Sequence, residues 1–533
     1  MKQNYIQMKK FNLLVCFSLL CTAVYAQDKV KGIVYHDANG NGKYDSRETG
    51  VAKVAVSNGV EVRLTDEKGR YELPIGQDNA IFVIKPTGYK VPVNADNLPK
   101  FYYLHKPKGS PTTLEFKGVA PAGPLPKSVD FALIPQQEAD DYTALIFGDP
   151  QAYTAREMEF FEKGIIAEVA GIKDVAFGLS LGDLVGNDLN LHQPYIKAVK
   201  KVGLPWYNLI GNHDMNFDVK VDSLSDETYE ANFGPANYSF NHGKVHYIIL
   251  DDVLYPNPRT GNGYLGGFRK DQLDFVENDL KFVDKDKLVV LAFHIPLEHQ
   301  NGNTFRSEDR QRLFDLLKDY PNTLSLSAHM HTQSQIFYTK KDGWHQEKPH
   351  HEYNAGTTSG DWYSGQLNAQ GVPAATMRDG TPKGYAFIHF KGNQYVIDYK
   401  VAGKDKSYQM EIFHPKVVGQ GKSTRAGIYV NFFMGHQGNK VEYRIGDGKW
   451  VAMRPVRSAD PAYLAELHPW DNSEELIPGR RPTDAVNSPH LWRTGIPTDL
   501  PIGTHQIEVR ATDQYGRTFV QKSSYRIEEA KGL

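Results

Sequence analysis

Between Ala139 and Lys404, apolar runs alternate with stretches of helical periodicity, and this pattern limits the fold more than any other feature of the chain. The runs are Tyr142–Phe147, Val175–Leu181, Trp206–Ile210, Val245–Leu250, Leu288–Phe293 and Leu324–Ser327. They are largely continuous and of strand length, so they read as strands buried on both faces. Helical spacing marks Arg156–Val169, Leu191–Val202, Arg269–Phe282 and Asp309–Leu317. Leu273, Val276 and Leu280 fall on one face of such a helix, as do Leu313, Phe314 and Leu317. Buried strands with helices between them specify an α/β layered domain.

Five of these runs end in residues able to bind a metal. The ends are Gly148-Asp149-Pro150-Gln151, Gly182-Asp183, Gly211-Asn212-His213-Asp214, His294 and His329-Met330-His331. In sheets of this kind ligands gather beyond the carboxyl ends of the strands. Five strands would therefore deliver Asp, Asp, Asn/His, His and His-x-His to one crevice. Glycines before Asp149, Asp183 and Asn212 suit tight turns that bring side chains close to an ion. One such strand end is ordinary; five in series indicate a site.

The rest of the chain is organised around this domain. At 533 residues it exceeds what one core can serve. Lys2, Lys9 and Lys10, the apolar run Phe11–Cys21 and small residues to Ala26 read as a secretory signal over residues 1–26, with cleavage after Ala26. The run is too short to span a bilayer. Export to the periplasm or cell envelope is the expectation, with no transmembrane helix in the mature chain. Cys16 and Cys21 are the two cysteines and both lie in that signal, which leaves no thiolate for metal binding or nucleophilic catalysis. Losing the three lysines takes the formal charge from −2 to −5, which argues against a nucleic-acid duplex as partner.

Residues 27–137 show short β-type runs separated by turns, among them Val30–Tyr35, Val60–Leu64, Ala80–Ile84 and Val129–Ile134, with a Pro-rich loop from Pro107 to Pro126. They read as a β-sandwich. Within it, Asp37, Asn39, Asn41, Asp45 and Glu48 stand at positions 1, 3, 5, 9 and 12 of a loop with Gly42 at position 6. That spacing fits one structural Ca²⁺ held by oxygen ligands. Residues 138–404 form the α/β domain. Residues 405–533 return to β patterns and read as a second sandwich with one long irregular stretch, Ser458–Thr498.

The series of strand ends resembles the calcineurin-like metallophosphoesterase superfamily. The three-part layout, with Thr358-Ser359-Gly360-Asp361-Trp362 and Met377-Arg378-Asp379-Gly380-Thr381-Pro382 after the last histidines, is similar to exported bacterial phosphoesterases of that superfamily. The resemblance implies a central layered metallophosphoesterase domain between two all-β sandwiches. It also implies a dinuclear site of Mn, Fe or Zn type, with Mg admitted. One ion would take Asp149, Asp183 and His331; the other would share Asp183 and add Asn212, His294 and His329. In-line attack by a hydroxide bridging the metals would hydrolyse a phosphomonoester or phosphodiester of a small molecule, nucleotide or lipid headgroup. His213 would serve the leaving oxygen.

The sequence departs from the family pattern at two places that matter. Gln151 stands where histidine is usual, as a metal ligand or a neighbour of one. Gly186 stands where an aspartate usually orients the catalytic histidine, which leaves Asp188, Asn187 or Asp214 for that task. Asp361, Trp362 and Tyr363 are candidates for the substrate wall, and Arg480 and Arg481 for a reach from the last domain. The alternative reading is a surface glycan-binding or adhesion protein that keeps a vestigial phosphoesterase fold.

Overall fold

The computed structural model describes residues 28–298 and 304–530. Residues 1–26, expected to be a secretory signal, lie outside the described residues. In the first sandwich, Lys29–His36 turns Val30 and Val34 inward and Lys29 and Lys31 outward, the alternation of a strand with one wet face. It pairs antiparallel with Arg70–Pro74 and parallel with Phe131–Pro135. A parallel partner requires a long return path, and the chain travels through the second sheet and the Pro-rich loop before supplying it. The second sheet runs in the order Val62–Leu64, Ala55–Ser57, Asn79–Val83, Tyr102–His105.

The central domain packs two sheets face to face. One has the order Trp206–Leu209, Phe177–Leu181, Asp141–Phe147, Gly384–Lys391, Gln394–Val401, its first three strands parallel and its last two antiparallel. The other runs Tyr238–His242, Val245–Ile249, Leu288–Ala292, Thr323–Ser327, His350–Asn354, Ser334–Tyr338. Every residue of Phe177–Leu181, Val245–Ile249, Leu288–Ala292 and Thr323–Ser327 is buried, in keeping with continuous apolar runs. The main helices are Ala155–Phe161, which continues through a π turn at Glu162–Ile166, then His192–Lys200, Glu227–Phe233, Lys270–Leu280 and Ser307–Leu317.

The first two domains share one hydrophobic core. Phe82 meets Phe275 edge-on at 5.6 Å and Phe101 lies 5.0 Å from Tyr238. At the same junction the buried Lys106 ammonium sits 2.8 Å from Glu227 and 2.9 Å from Glu230. Removing either side of such a buried pair leaves a charge out of water, so the junction is fixed in register as well as packed.

The last domain has a core of its own, built on Ile428, Val430, Phe432, Trp492, Val509 and Ile527. Ser458–Thr498 departs from the irregular stretch expected. Asp460 caps a helix, Pro461–Asn472, whose first residue is a proline that needs no N–H partner there. Leu491–Gly495 is a strand paired with Gly427–Phe432, and Trp492 is part of the core. Among the described residues no helix is long and apolar enough to cross a membrane.

Candidate metal centre

All five strand ends named above meet in one place. Nε2 of His294 is the geometric centre of the group: Asn212 Oδ1 and Asp183 Oδ2 lie 3.2 Å away, His329 Nδ1 3.3 Å and Asp149 Oδ1 3.9 Å. Donor atoms of Asp183, His294 and His329 lie within 4.8 Å of one another. Ligands about 2.1 Å from a shared ion stand roughly 3 Å or more apart, so these spacings suit a cation among them. His294 donates its Nδ1–H to the Leu181 carbonyl at 2.8 Å, which turns the lone pair of Nε2 toward the group. His331 does the same through Nδ1 to the Gly360 carbonyl at 2.7 Å.

Two further atoms point to a cation. Nε2 of His331 and Oε1 of Gln151 are buried and have no hydrogen-bond partner. Buried polar atoms are almost always satisfied, and each unsatisfied one costs on the order of 1–3 kcal/mol. An ion bound by Asp149, Gln151, Asp183 and His331 would satisfy both. The donor set of carboxylate, amide oxygen and imidazole fits borderline and hard divalent ions. The residues present therefore fit a metal pair that shares Asp183.

The charges agree with this placement. Burial, with the Asp183 carboxylate beside it, pushes Asp149 well above the usual carboxylate range. Burial would raise Asp183 too, but the imidazoles of His294 and His213 hold it below that range. Burial would lower His294, yet Asp183 and Asp149 outweigh it and lift the imidazole to about 10. A metal would take the place of that proton.

The backbone is bent to make the group converge. Twelve described non-glycine residues have positive φ, and eight of them are here: Asp149, Gln151, Asp183, Asn187, His329, His331, Trp362 and Tyr363. Such conformations cost of order 1–3 kcal/mol each and persist only where the surroundings enforce them. Gly211 is required for contact reasons. A Cβ there would lie 2.2 Å from the Asp183 backbone nitrogen.

Asp252, which the sequence reading missed, holds the end of the His294 strand. Its carboxylate accepts from the backbone of His294 at 3.0 Å and of Ile295 at 3.0 Å. The run Val245–Leu250 also ends in carboxylates, Asp251-Asp252, and that was the available signal.

His213 sits half-buried at the edge of the cage, its N–H on Asp183 Oδ1 at 2.8 Å. Nδ1 meets Asn187 Oδ1 at 2.6 Å and the Tyr153 hydroxyl at 3.5 Å. Of the three residues offered to orient it, Asn187 is the one in contact. Asp188 instead caps the turn Leu189–Leu191 through the Asn190 N–H at 3.1 Å. Asp214 is buried beneath the loop, accepting from the backbone of Leu184, Val185 and Gly211 and lying 3.2 Å from His192 Nε2. Neither aspartate reaches His213, because each is consumed by the turn that contains or faces it.

The supposed substrate wall is also corrected in part. Asp361 is buried and its carboxylate is taken by the backbone N–H (2.7 Å) and hydroxyl (2.5 Å) of Thr483, from the last domain. The Tyr363 hydroxyl is spent on the Pro150 carbonyl. Trp362 alone of the three is partly open, stacked on His331 with ring centres 4.0 Å apart. In the Asp37–Glu48 loop, Asp37 accepts from the N–H groups of Asn41 and Gly42, Glu48 from those of Ala38 and Asp45, and Asp45 from the amides of Asn39 and Asn41.

Fold and cage together define a layered α/β domain with a candidate metal centre at its strand ends, and comparison with known families gives it a place. The model for "Calcineurin-like phosphoesterase" matches residues 142–333. Those for the "N terminal" and "C terminal of Calcineurin-like phosphoesterase" match residues 38–120 and 352–519. The chain belongs to the calcineurin-like phosphoesterases and is by class a metal-dependent phosphoric ester hydrolase.

No curated protein matches it in sequence. Among solved structures, purple acid phosphatase PPD1 from yellow lupin (Lupinus luteus) seeds aligns over 70% of this chain and 67% of its own, at 13% identity and a TM-score of 0.36. GAP50, the anchor in the inner membrane complex of Plasmodium, aligns over 49% and 84%, at 16% identity and 0.29. Vps29 of Chaetomium thermophilum aligns over 72% and 98%, at 11% identity and 0.20. Likenesses of this size bear on no residue of the site.

Proposed function

We propose that this chain is an exported dinuclear phosphoesterase that cleaves phosphomonoesters or phosphodiesters of small molecules, nucleotides or lipid headgroups. The observation that carries the dinuclear reading is the pair of buried, unpartnered donor atoms on Gln151 and His331 beside the His294 cluster. Bound there, two divalent ions would supply Lewis-acid activation of water and of the phosphoryl group. The chain's own residues do the positioning. Asp183 sits between the two donor sets, and Asn212 is carried with His213 on one tight turn. Asn187 takes the Nδ1–H of His213 and leaves Nε2 as the atom that hands a proton to the departing oxygen. The signal segment of residues 1–26 is the basis for export.

The test is metal uptake and turnover together. Chelator-stripped protein should take up two Mn²⁺ per chain and then hydrolyse p-nitrophenyl phosphate or bis(p-nitrophenyl) phosphate. His294→Ala and Asp183→Asn should lose both properties. Wild-type protein that binds no more Mn²⁺ than these variants would end the dinuclear reading.

We also propose that the Asp37–Glu48 loop holds a structural Ca²⁺, on the strength of its ligand spacing. Ca²⁺ should raise the melting temperature of the wild type and leave that of Asp37→Ala where it was. Equal responses would remove the claim.

A further inference from the structure

The mouth of the site also speaks to what the substrate carries besides its ester phosphate, an inference that rests on the phosphoesterase reading. Two arginines flank Trp362. Arg378 donates from Nη2 to the carbonyl of Met330 at 3.0 Å, and Met330 is the residue between His329 and His331. Its guanidinium carbon lies 5.7 Å from the Trp362 ring centre, and that ring stacks on His331. Nε of Arg378 is buried without an acceptor, and among the described residues no carboxylate pairs with this side chain.

The second arginine comes from the last domain. The N–H of Gly365 donates to the Arg480 carbonyl at 2.7 Å, which pins Arg480 against the loop that bears Trp362. Its Nη1 faces the Trp362 carbonyl at 3.4 Å. The neighbouring Arg481 has a different fate. It gives Nε and Nη2 to Asp471 at 2.6 and 2.8 Å and Nη1 to Asp484 at 3.1 Å. Of two adjacent arginines the fold neutralises one and sets the other, with no carboxylate partner among the described residues, beside Trp362.

A guanidinium with an unmade buried hydrogen bond is a cost that an anion would relieve. Its planar fork matches phosphate and carboxylate oxygens in pairs. We propose that Arg378 and Arg480 form an anion subsite around Trp362, and that the substrate bears a second phosphate or carboxylate group near the ester that is cleaved. The two arginines recognise that group; they are specificity residues and not proton carriers.

The test uses the Mn²⁺-loaded full chain and two probes that differ only in the second anion, propyl phosphate and propane-1,3-bisphosphate. Wild-type kcat/KM should favour the bisphosphate by about tenfold or more, mainly through KM. The ratio should fall toward one in the Arg378→Gln, Arg480→Gln double variant and recover in part in the corresponding double lysine variant. A wild-type ratio near one overturns the proposal. So does an equal loss on both probes, which would put the arginines on the cleaved phosphate itself.

Calorimetric binding of the same probes to chelator-stripped protein separates the subsite from the hydrolysis. Tighter bisphosphate binding by wild type than by the double lysine and double glutamine variants, in that order, supports the subsite even if no ester turns over. Indifference to the substitutions counts against it.

Discussion

Nδ1 of His213 lies 2.6 Å from Oδ1 of Asn187, and the backbone N–H of the same histidine reaches Asp183 at 2.8 Å. The imidazole is thus oriented by a neutral amide, while the backbone of the same residue is anchored on the Asp183 carboxylate. Asn187 has φ 71°, a left-handed conformation that asparagine tolerates better than most residues. The turn therefore selects asparagine for its backbone as well as its oxygen.

Asn187→Ala should lower kcat by roughly tenfold, the scale of one lost orienting hydrogen bond. Metal content and KM should change little. Kinetics with metal analysis of the same samples checks this. A variant that loses metal in step with activity would show Asn187 to be structural and not a positioning residue.

Gly186 explains why the usual orienting aspartate is absent. A Cβ at this position would lie 2.5 Å from the Tyr153 ring, with no room to spare. Tyr153 in turn touches both His213 and Gln151, at 3.5 and 3.4 Å. Both departures, Gly186 and Gln151, thus pack against one ring beside His213. Gly186→Asp alone should lower the melting temperature by several degrees and cut activity. Adding Tyr153→Ala should restore part of the stability, because the clash partner is gone. Strict additivity of the two changes in melting temperature would show that the ring and the glycine do not compete for the space.

The strand ends were legible because each joins an apolar run to a polar residue able to bind a metal, a pattern visible at one residue of resolution. The layered α/β class followed from the same runs. His350–Asn354 was not legible as a strand: its sequence is His-His-Glu-Tyr-Asn, yet all five residues are buried between two other strands. Its side chains find polar partners across the sheet, such as Ser325 for His350 and Gln335 for His351, and pairing of that kind leaves no hydrophobic signature. Nor could spacing show that Asp361 faces Thr483 from another domain. The positive φ values at Asp149, Asp183 and His331 were hidden as well, because only tertiary packing pays out that strain.

Metal removal should be felt beyond catalysis. Without an ion, Gln151 Oε1 and His331 Nε2 remain buried and unsatisfied, and Asp149 and Asp183 face each other. Dialysis against chelator should lower the melting temperature, and Mn²⁺ or Zn²⁺ should restore it, since a ligand that binds only the folded state stabilises it. Gln151→Ala should reduce bound metal to about one ion per chain while leaving the His294 side of the cage filled. Full occupancy of two ions in Gln151→Ala would mean that its amide oxygen is no ligand.

Glu352 offers a pH-dependent test of the central core. Its carboxyl group is fully buried and takes hydrogen bonds from Ser327 Oγ at 2.6 Å, the Tyr338 hydroxyl at 2.8 Å and the Leu297 N–H at 3.3 Å. Burial outweighs these bonds and raises it from the ordinary 4.5 to about 7. The folded chain thus keeps this proton over a range in which the unfolded chain has released it. Stability from this group is present below about pH 4.5, falls as pH rises toward 7, and is flat above that; a shift of this size corresponds to about 3 kcal/mol. Glu352→Gln keeps the shape and removes the ionisation. Its melting temperature should therefore decline less than that of the wild type between pH 5 and pH 8. Parallel declines in the two proteins would assign the pH dependence to other buried groups, Asp252 first among them because burial lifts it to about 7 as well.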